Sequence, residues 1–260
     1  WEPLFEAIQY KGQSEAHPSL SPTDEFAAGY ELWDRGNLTL VPKKPGMIAH
    51  EYLREALKNG LLLDQQLGAN AFKYGMAAGT DTHNALVAAE EDNFYGKFAS
   101  SEPSAGRADE NAMKFGDRVV KGWELTAAGY TAVWATENTR EAIWDAMKSR
   151  ETFVTSGTRI KPRFFCGIGL GTAGSDAAAL VRQGYAAGVP MGGTLPASGK
   201  RPTFTVHAMK DPDGANLDRM QIIKGWVDAG GGQHEKIVDV AWSGGRKRGT
   251  DGGLPGVGNT

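Results

Sequence analysis

The sequence predicts an α/β chain: a layered or barrel-like strand–helix region over residues 1–157, followed by a β-rich, sandwich-like module over residues 158–260. Three observations predict it. Short apolar runs end in clusters of polar residues, at Leu4 to Tyr10 and at Phe72 to Ala78, as buried strands do when they deliver side chains from their ends. Strand-like Tyr130 to Ala135, an amphipathic helix behind Thr139 and strand-like Glu151 to Gly157 follow one another in βαβ order. Beyond Gly157 the helical period fades, and Thr203-Phe204-Thr205-Val206-His207-Ala208 alternates as a half-buried strand does.

Leu4 to Tyr10 reads as a strand that runs into the loop Lys11-Gly12-Gln13-Ser14-Glu15. Thr23 or Asp24 can cap a helix carrying Phe26, Ala27, Tyr30, Leu32 and Trp33. Ile48, Tyr52, Leu53, Ala56 and Leu57 recur at helical spacing, with Gly60 as the stop, and Leu61 to Leu67 extends this helix or begins another. Residues 89 to 118 mix charged, Gly and Ser residues with scattered aromatics, the pattern of a long surface loop. In the helix behind Thr139, Ile143, Trp144, Ala146 and Met147 form the inward stripe. Ile160 to Ile168, Pro202 to Ala208, Met220 to Trp226 and Ile237 to Trp242 are strand candidates, with no strong helix among them.

Composition bounds the function. With 260 residues, 40% of them hydrophobic, the chain can bury one large core or two modest ones. A net charge of −3 argues against an obligatory polyanion, so no nucleic-acid partner is expected. Residues 1 to 130 carry 12 Lys/Arg against 19 Asp/Glu, net −7, and the remainder 16 against 12, net +4, which points to two differently built regions. The single cysteine, Cys166, excludes an internal disulfide framework and a multi-cysteine zinc cage. No apolar run reaches the roughly 18 residues of a membrane-spanning helix, so no membrane partner is expected. The chain opens at Trp1-Glu2-Pro3 and stops at Val257-Gly258-Asn259-Thr260, which leads us to expect a piece of a longer polypeptide.

Two short constellations carry candidate chemistry. Asp81-Thr82-His83 follows an apolar run, and a carboxylate and an imidazole two apart at a strand end can aim at one Zn²⁺, Mn²⁺ or Fe²⁺ ion. The same spacing equally describes an aspartate that caps the next turn beside a satisfied loop histidine. In Ser14-Glu15-Ala16-His17-Pro18, Glu15 can bridge two metal ions or act as general base on a bound water. Its plainer reading is a solvated glutamate flanking a helix. Arg159, after Thr155-Ser156-Gly157-Thr158, can hold a phosphate, sulfate or carboxylate through two parallel hydrogen bonds, or form a salt bridge between domains; Lys11 admits the same pair of readings. His50, His207 and His234 read as an exposed helical residue, a strand residue and a loop residue, and Cys166 as a buried thiol.

Gln9-Tyr10-Lys11-Gly12-Gln13-Ser14-Glu15, Tyr52-Leu53-Arg54-Glu55-Ala56-Leu57, Gly79-Thr80-Asp81-Thr82-His83-Asn84-Ala85, Arg150-Glu151-Thr152-Phe153-Val154-Thr155-Ser156-Gly157-Thr158-Arg159-Ile160 and Ile223-Lys224-Gly225-Trp226 occur in that order. Together they resemble a bacterial family of unknown function related to the PHP (polymerase and histidinol phosphatase) metallohydrolases, over nearly the whole chain. The resemblance implies a partial, distorted β/α barrel that holds two or more divalent ions at its strand ends. It maps the last D-x-H metal motif onto Asp81 and His83 and a metal-bridging or catalytic carboxylate onto Glu15. It also implies a β-sandwich segment after the barrel, and a periplasmic or extracellular setting. PHP proteins carry an H-x-H pair that is absent here, and the resemblance places it upstream of Trp1.

The resulting expectation is a metal-dependent hydrolase of the phosphoesterase type. Asp81 and His83 would hold metal, Glu15 would bridge or accept a proton, and Arg159 would hold a small-molecule substrate by an anionic or ester group. The alternative is a non-catalytic protein whose β-rich module binds a ligand or a surface partner.

Overall fold

The structure, a computed structural model, describes residues 2–28, 34, 36, 39–83, 85, 104–125, 129–171, 174, 176–250 and 253–256. In chain order the elements begin β1 (Leu4–Gln9), β2 (Gly12–Gln13), α1 (Pro45–Ile48), α2 (Leu53–Leu67) and β3 (Gly75–Ala78). Next come β4 (Asn111–Phe115), β5 (Arg118–Lys121), β6 (Gly129–Val133), α3 (Arg140–Lys148) and β7 (Thr152–Ser156). The last are β8 (Lys161–Gly167), α4 (Ala177–Ala187), β9 (Gly188–Pro190), β10 (Thr203–Met209), β11 (Arg219–Val227) and β12 (Gln233–Trp242). The chain divides into two compact units, one of Trp1–Ala132, Val154–Gly157 and Gly225–Glu235, the other of Val133–Phe153, Thr158–Lys224 and Lys236–Thr260. No described helix is long and apolar enough to cross a membrane.

In the first unit β1 is the central strand of a three-stranded sheet, ordered β2-β1-β3. The β1–β2 turn is two residues long, and Gly12 at φ 133° takes a backbone conformation that a side chain would resist. β3 lies parallel to β1, with Leu4 opposite Gly75 and Ile8 opposite Ala78. Helix α2 starts without a side-chain cap. Its first amides are met instead by the loop after β2: Leu53 N–H donates to Ser14 O at 2.8 Å and Arg54 N–H to Glu15 O at 3.1 Å. The helix runs through Gly60 and ends at Gly68, whose φ of 73° and N–H bond to Asp64 O make the left-handed stop. Gly60 stays inside the helix for a packing reason. A Cβ there would sit 2.2 Å from Asn70 Oδ1. Tyr10, Phe115, Val120 and Leu125 form a buried cluster around the β4–β5 hairpin.

The second unit contains the sheet β10-β8-β9. Phe165 of β8 is buried with Leu170 and Leu180, and Val181 packs against them. Helix α4 can lie this close because residue 184 is glycine; a Cβ would fall 2.4 Å from the Phe165 ring. Asp176 caps α4, accepting from the Ala178 and Ala179 amides at 2.9 and 3.0 Å. Thr139 caps α3 as expected, accepting from Ala142 N–H at 3.3 Å.

Several expectations are corrected. The β/α barrel is overturned: among the described residues the sheets are small and mostly antiparallel, and they form no closed barrel. In place of a helical crossover after β1 the chain turns back at once into β2. The β6–α3–β7 segment is likewise not a parallel unit, because Trp134 N–H meets Glu151 O at 3.0 Å, joining the end of one strand to the start of the other. The sandwich expected after Gly157 is a three-stranded sheet against α4 plus a separate β11–β12 pair. Trp144 is 63% exposed and does not join the inward stripe of α3. Of the loop expected over residues 89–118, residues 89–103 lie outside the described residues, and its last part instead forms β4 and the first residue of β5. The helix expected behind Thr23 or Asp24 shows only turns through Ala28, and Tyr30, Leu32 and Trp33 lie outside the described residues, as does Asn84.

At the β11–β12 turn, Trp226 and His234 stack with centroids 5.1 Å apart. Asp228 Oδ2 pairs with His234 Nε2 at 2.6 Å, while Oδ1 accepts from the Gly230 and Gly232 amides. The bond to His234, then those amides, hold the Asp228 carboxyl below its ordinary range.

Two outcomes follow from this architecture. Gly60→Ala is expected to lower stability by about 1–3 kcal/mol in denaturant unfolding, against alanine's better helix propensity, because the new methyl collides with Asn70. In an NMR titration the Asp228 carboxyl carbon should titrate below about 3.9, and return toward that value in His234→Ala. A depressed native value means that the stability from this contact is complete above about pH 4 and is lost as the pH falls through the native value.

Candidate functional site

The parallel pairing of β1 with β3 brings two chain exits to one rim of the sheet. Lys11 leaves β1 there, and Asp81 leaves β3 three residues after Ala78. The Lys11 ammonium donates to Asp81 Oδ2. On the other carboxylate oxygen, Asp81 Oδ1 lies 3.1 Å from His83 Nε2. Asp81 adopts φ 55°, a left-handed conformation that aspartate tolerates better than most side chains. Thr80 and Thr82 complete the turn, their hydroxyls 3.2 Å apart. Lys11 is nearly buried, with its side chain 9% exposed, whereas His83 is open to solvent at 55%. The carboxylate therefore faces a fixed cation on one side and an accessible imidazole on the other.

Glu15 belongs to a second cluster in the same unit. Arg54 projects from the first turn of α2, and its Nε and one terminal nitrogen reach Glu15 Oε1 at 3.1 and 2.7 Å. The other terminal nitrogen reaches Asp24 Oδ2 at 2.6 Å. Glu235 Oε1 stands 3.6 Å from the same nitrogen. Burial by itself would lower the Arg54 pKa, but the Glu15 charge and the bonds to Glu15 and Asp24 outweigh it and hold the guanidinium above its ordinary value. The Asp24 side chain is only 2% exposed, and its solvation is replaced by this ion pair on Oδ2 and by the Phe26 N–H, which donates to Oδ1 at 2.9 Å. Gln13 shapes the loop between them, accepting from the Glu15 and Ala16 amides and donating to Ala16 O at 2.7 Å.

Beside this clamp lies a cavity of about 330 Å³ lined by Ile8, Glu15, Asp24, Phe26, Arg54 and Thr155, among others. The Thr155 hydroxyl is buried there without a hydrogen-bond partner. Such a group costs on the order of 1–3 kcal/mol unless something in the cavity meets it.

The four residues proposed from sequence are thus placed in three settings. Asp81 and His83 come together; Glu15 sits in the Arg54 clamp; Arg159 lies in the second unit, where its N–H donates to Asp211 Oδ2 at 2.7 Å. Among the described residues no three His, Cys, Asp or Glu side chains converge as a metal cluster. His17 is held by Ser19 at 2.7 Å and packs its ring on Tyr52. Burial pushes the Cys166 thiol up, away from the reactive thiolate. In the short run Arg246-Lys247-Arg248, the two arginines pair with Asp218 and Asp239 respectively.

A family model described as a protein of unknown function, DUF3604, matches residues 1–260. The chain belongs to the DUF3604 family. No curated protein and no solved structure matches it. Within this DUF3604 chain, sequence reasoning missed Arg54, Asp24 and Thr155 as a group. One signal was available: a cation in the first turn of a helix opposes the helix dipole, and it is tolerated best where carboxylates hold it.

Arg54→Gln is expected to destabilise the chain by about 3–5 kcal/mol in denaturant unfolding, since it strands the buried Asp24 charge. Adding Asp24→Asn to that variant should recover part of the loss. Full additivity of the two changes would show that the pair is not coupled.

Proposed function

We propose that this chain contributes to a divalent-metal-dependent hydrolase of the phosphoesterase type, with Asp81 and His83 as two of the metal's ligands. The observation that carries the reading is the approach of Asp81 Oδ1 to His83 Nε2, 3.1 Å apart where β1 and β3 both end. Ligand sites in parallel sheets favour the carboxyl ends of strands. The likeness of Gly79-Thr80-Asp81-Thr82-His83 to the D-x-H motif of PHP metallohydrolases supports the same assignment.

The donors fit a metal in part. One carboxylate and one imidazole suit Zn²⁺, Mn²⁺ or Fe²⁺, but they are two donors where catalytic zinc sites use three protein ligands. They are proposed as two donors of a larger coordination shell. A divalent ion supplies an acidified water and neutralises charge on ester oxygens. The chain's own residues set the stage for it. Lys11 fixes Asp81 Oδ2 and leaves Oδ1 turned to His83. Its ammonium also adds positive charge at the rim, which favours a small substrate with an anionic or ester group. Glu15 and Arg159 take no part in the ligand set in this reading.

The test is metal analysis of the whole chain loaded with Zn²⁺ or Mn²⁺, together with the NMR signals of the His83 ring. Wild-type protein should retain metal and shift those signals. Asp81→Asn and His83→Ala should each weaken binding by about tenfold or more. Equal retention by both variants, or none by the wild type, would leave Lys11, Asp81 and His83 as a structural ion-pair network and remove the hydrolase reading.

A further inference from the structure

We infer that the cavity beside Arg54 binds a small organic cation bearing a hydroxyl group, an amino alcohol in chemical class, with its ammonium on Glu15 and its hydroxyl on Thr155. This site does not depend on the hydrolase reading. It stands on three observations in one unit.

The first is charge. Of the residues lining the cavity, Glu15 and Asp24 are acidic and Arg54 is basic, and Glu235 adds a further carboxylate 3.6 Å from the guanidinium. Negative charge exceeds positive, so a cation is favoured and an anion is opposed. The second is the way Arg54 is spent. Both of its contacts with Glu15 fall on Oε1, which leaves Oε2 of a half-exposed carboxylate to receive a ligand's donor. The third is the Thr155 hydroxyl, buried in the lining with no partner. A ligand hydroxyl would satisfy it.

The rest of the lining fits a short hydrocarbon body. Ala7, Ile8, Ala16, Ala27 and Val154 present apolar surface between the polar groups. A metal ion is a poorer occupant, because no three ligating side chains converge among the described residues.

The experiment is a titration of the whole chain, methyl-labelled at Ile, Val and Thr, with straight-chain amino alcohols from ethanolamine to aminopentanol. Matched diols and hydroxy acids serve as controls. Saturable shifts at the Ile8, Val154 and Thr155 methyls are expected with at least one amino alcohol. Diols should bind at least about tenfold more weakly, and hydroxy acids should give no saturable shift. Glu15→Gln should weaken the amino alcohol about tenfold, and the isosteric Thr155→Val by several-fold, with both variants checked for a native methyl spectrum. The inference is overturned if no amino alcohol gives saturable shifts, if hydroxy acids bind as well, or if folded Glu15→Gln binds unchanged.

Discussion

Leu4 lies opposite Gly75 and Ile8 opposite Ala78, and because these strands run parallel, the chain leaves both at the same rim. An antiparallel partner would have sent Asp81 to the opposite end of the sheet from Lys11. The parallel register therefore precedes every other feature of the Asp81 site. It allows a nearly buried ammonium to hold one carboxylate oxygen while the other faces His83. The left-handed backbone at Asp81 persists within that frame, where the ion pair and the threonine turn hold it from both sides.

The second cluster shows how charge organises a loop that lacks regular structure. Residues 13 to 24 are gathered by Gln13, which bonds to the backbone around Ala16, and by Arg54, which ties Glu15 to Asp24. The same loop supplies carbonyls to the opening amides of α2, so the helix start and the loop stabilise each other. A guanidinium suits this position better than an ammonium. Its planar fork reaches two carboxylates at once, and it stays charged when buried. Glu15 and Thr155 line a cavity together with Ile8, Phe26 and Val154, and the Thr155 hydroxyl is buried without a hydrogen-bond partner.

Much of the local structure was legible in the sequence. The apolar run from Leu4 predicted β1, Thr139 predicted the start of α3, and the period-two run at Thr203 predicted β10. Each follows from a local preference, a cap or an alternation, that needs no partner. Local cues also misled in understandable ways. Gly60 reads as a helix stop, yet it sits within α2 because Asn70 occupies the space a side chain would need. The alanine-rich stretch behind Asp176 lacks a strong apolar stripe, so α4 was overlooked, although a capping aspartate before good helix formers marks it.

What the sequence determined by itself is the set of parts: most of the strands, the capped helix α3, and the Asp81–His83 pair two positions apart at a strand end. Tertiary structure decided which strands pair and in which direction. That choice replaced an expected barrel with small, mostly antiparallel sheets, and it brought Lys11 to Asp81 across 70 residues and Arg54 to Glu15 across 39. The physical reason is that hydrophobic alternation and capping are properties of neighbouring residues. Strand direction and ion pairing depend on which surfaces meet, and a one-dimensional pattern does not carry that information.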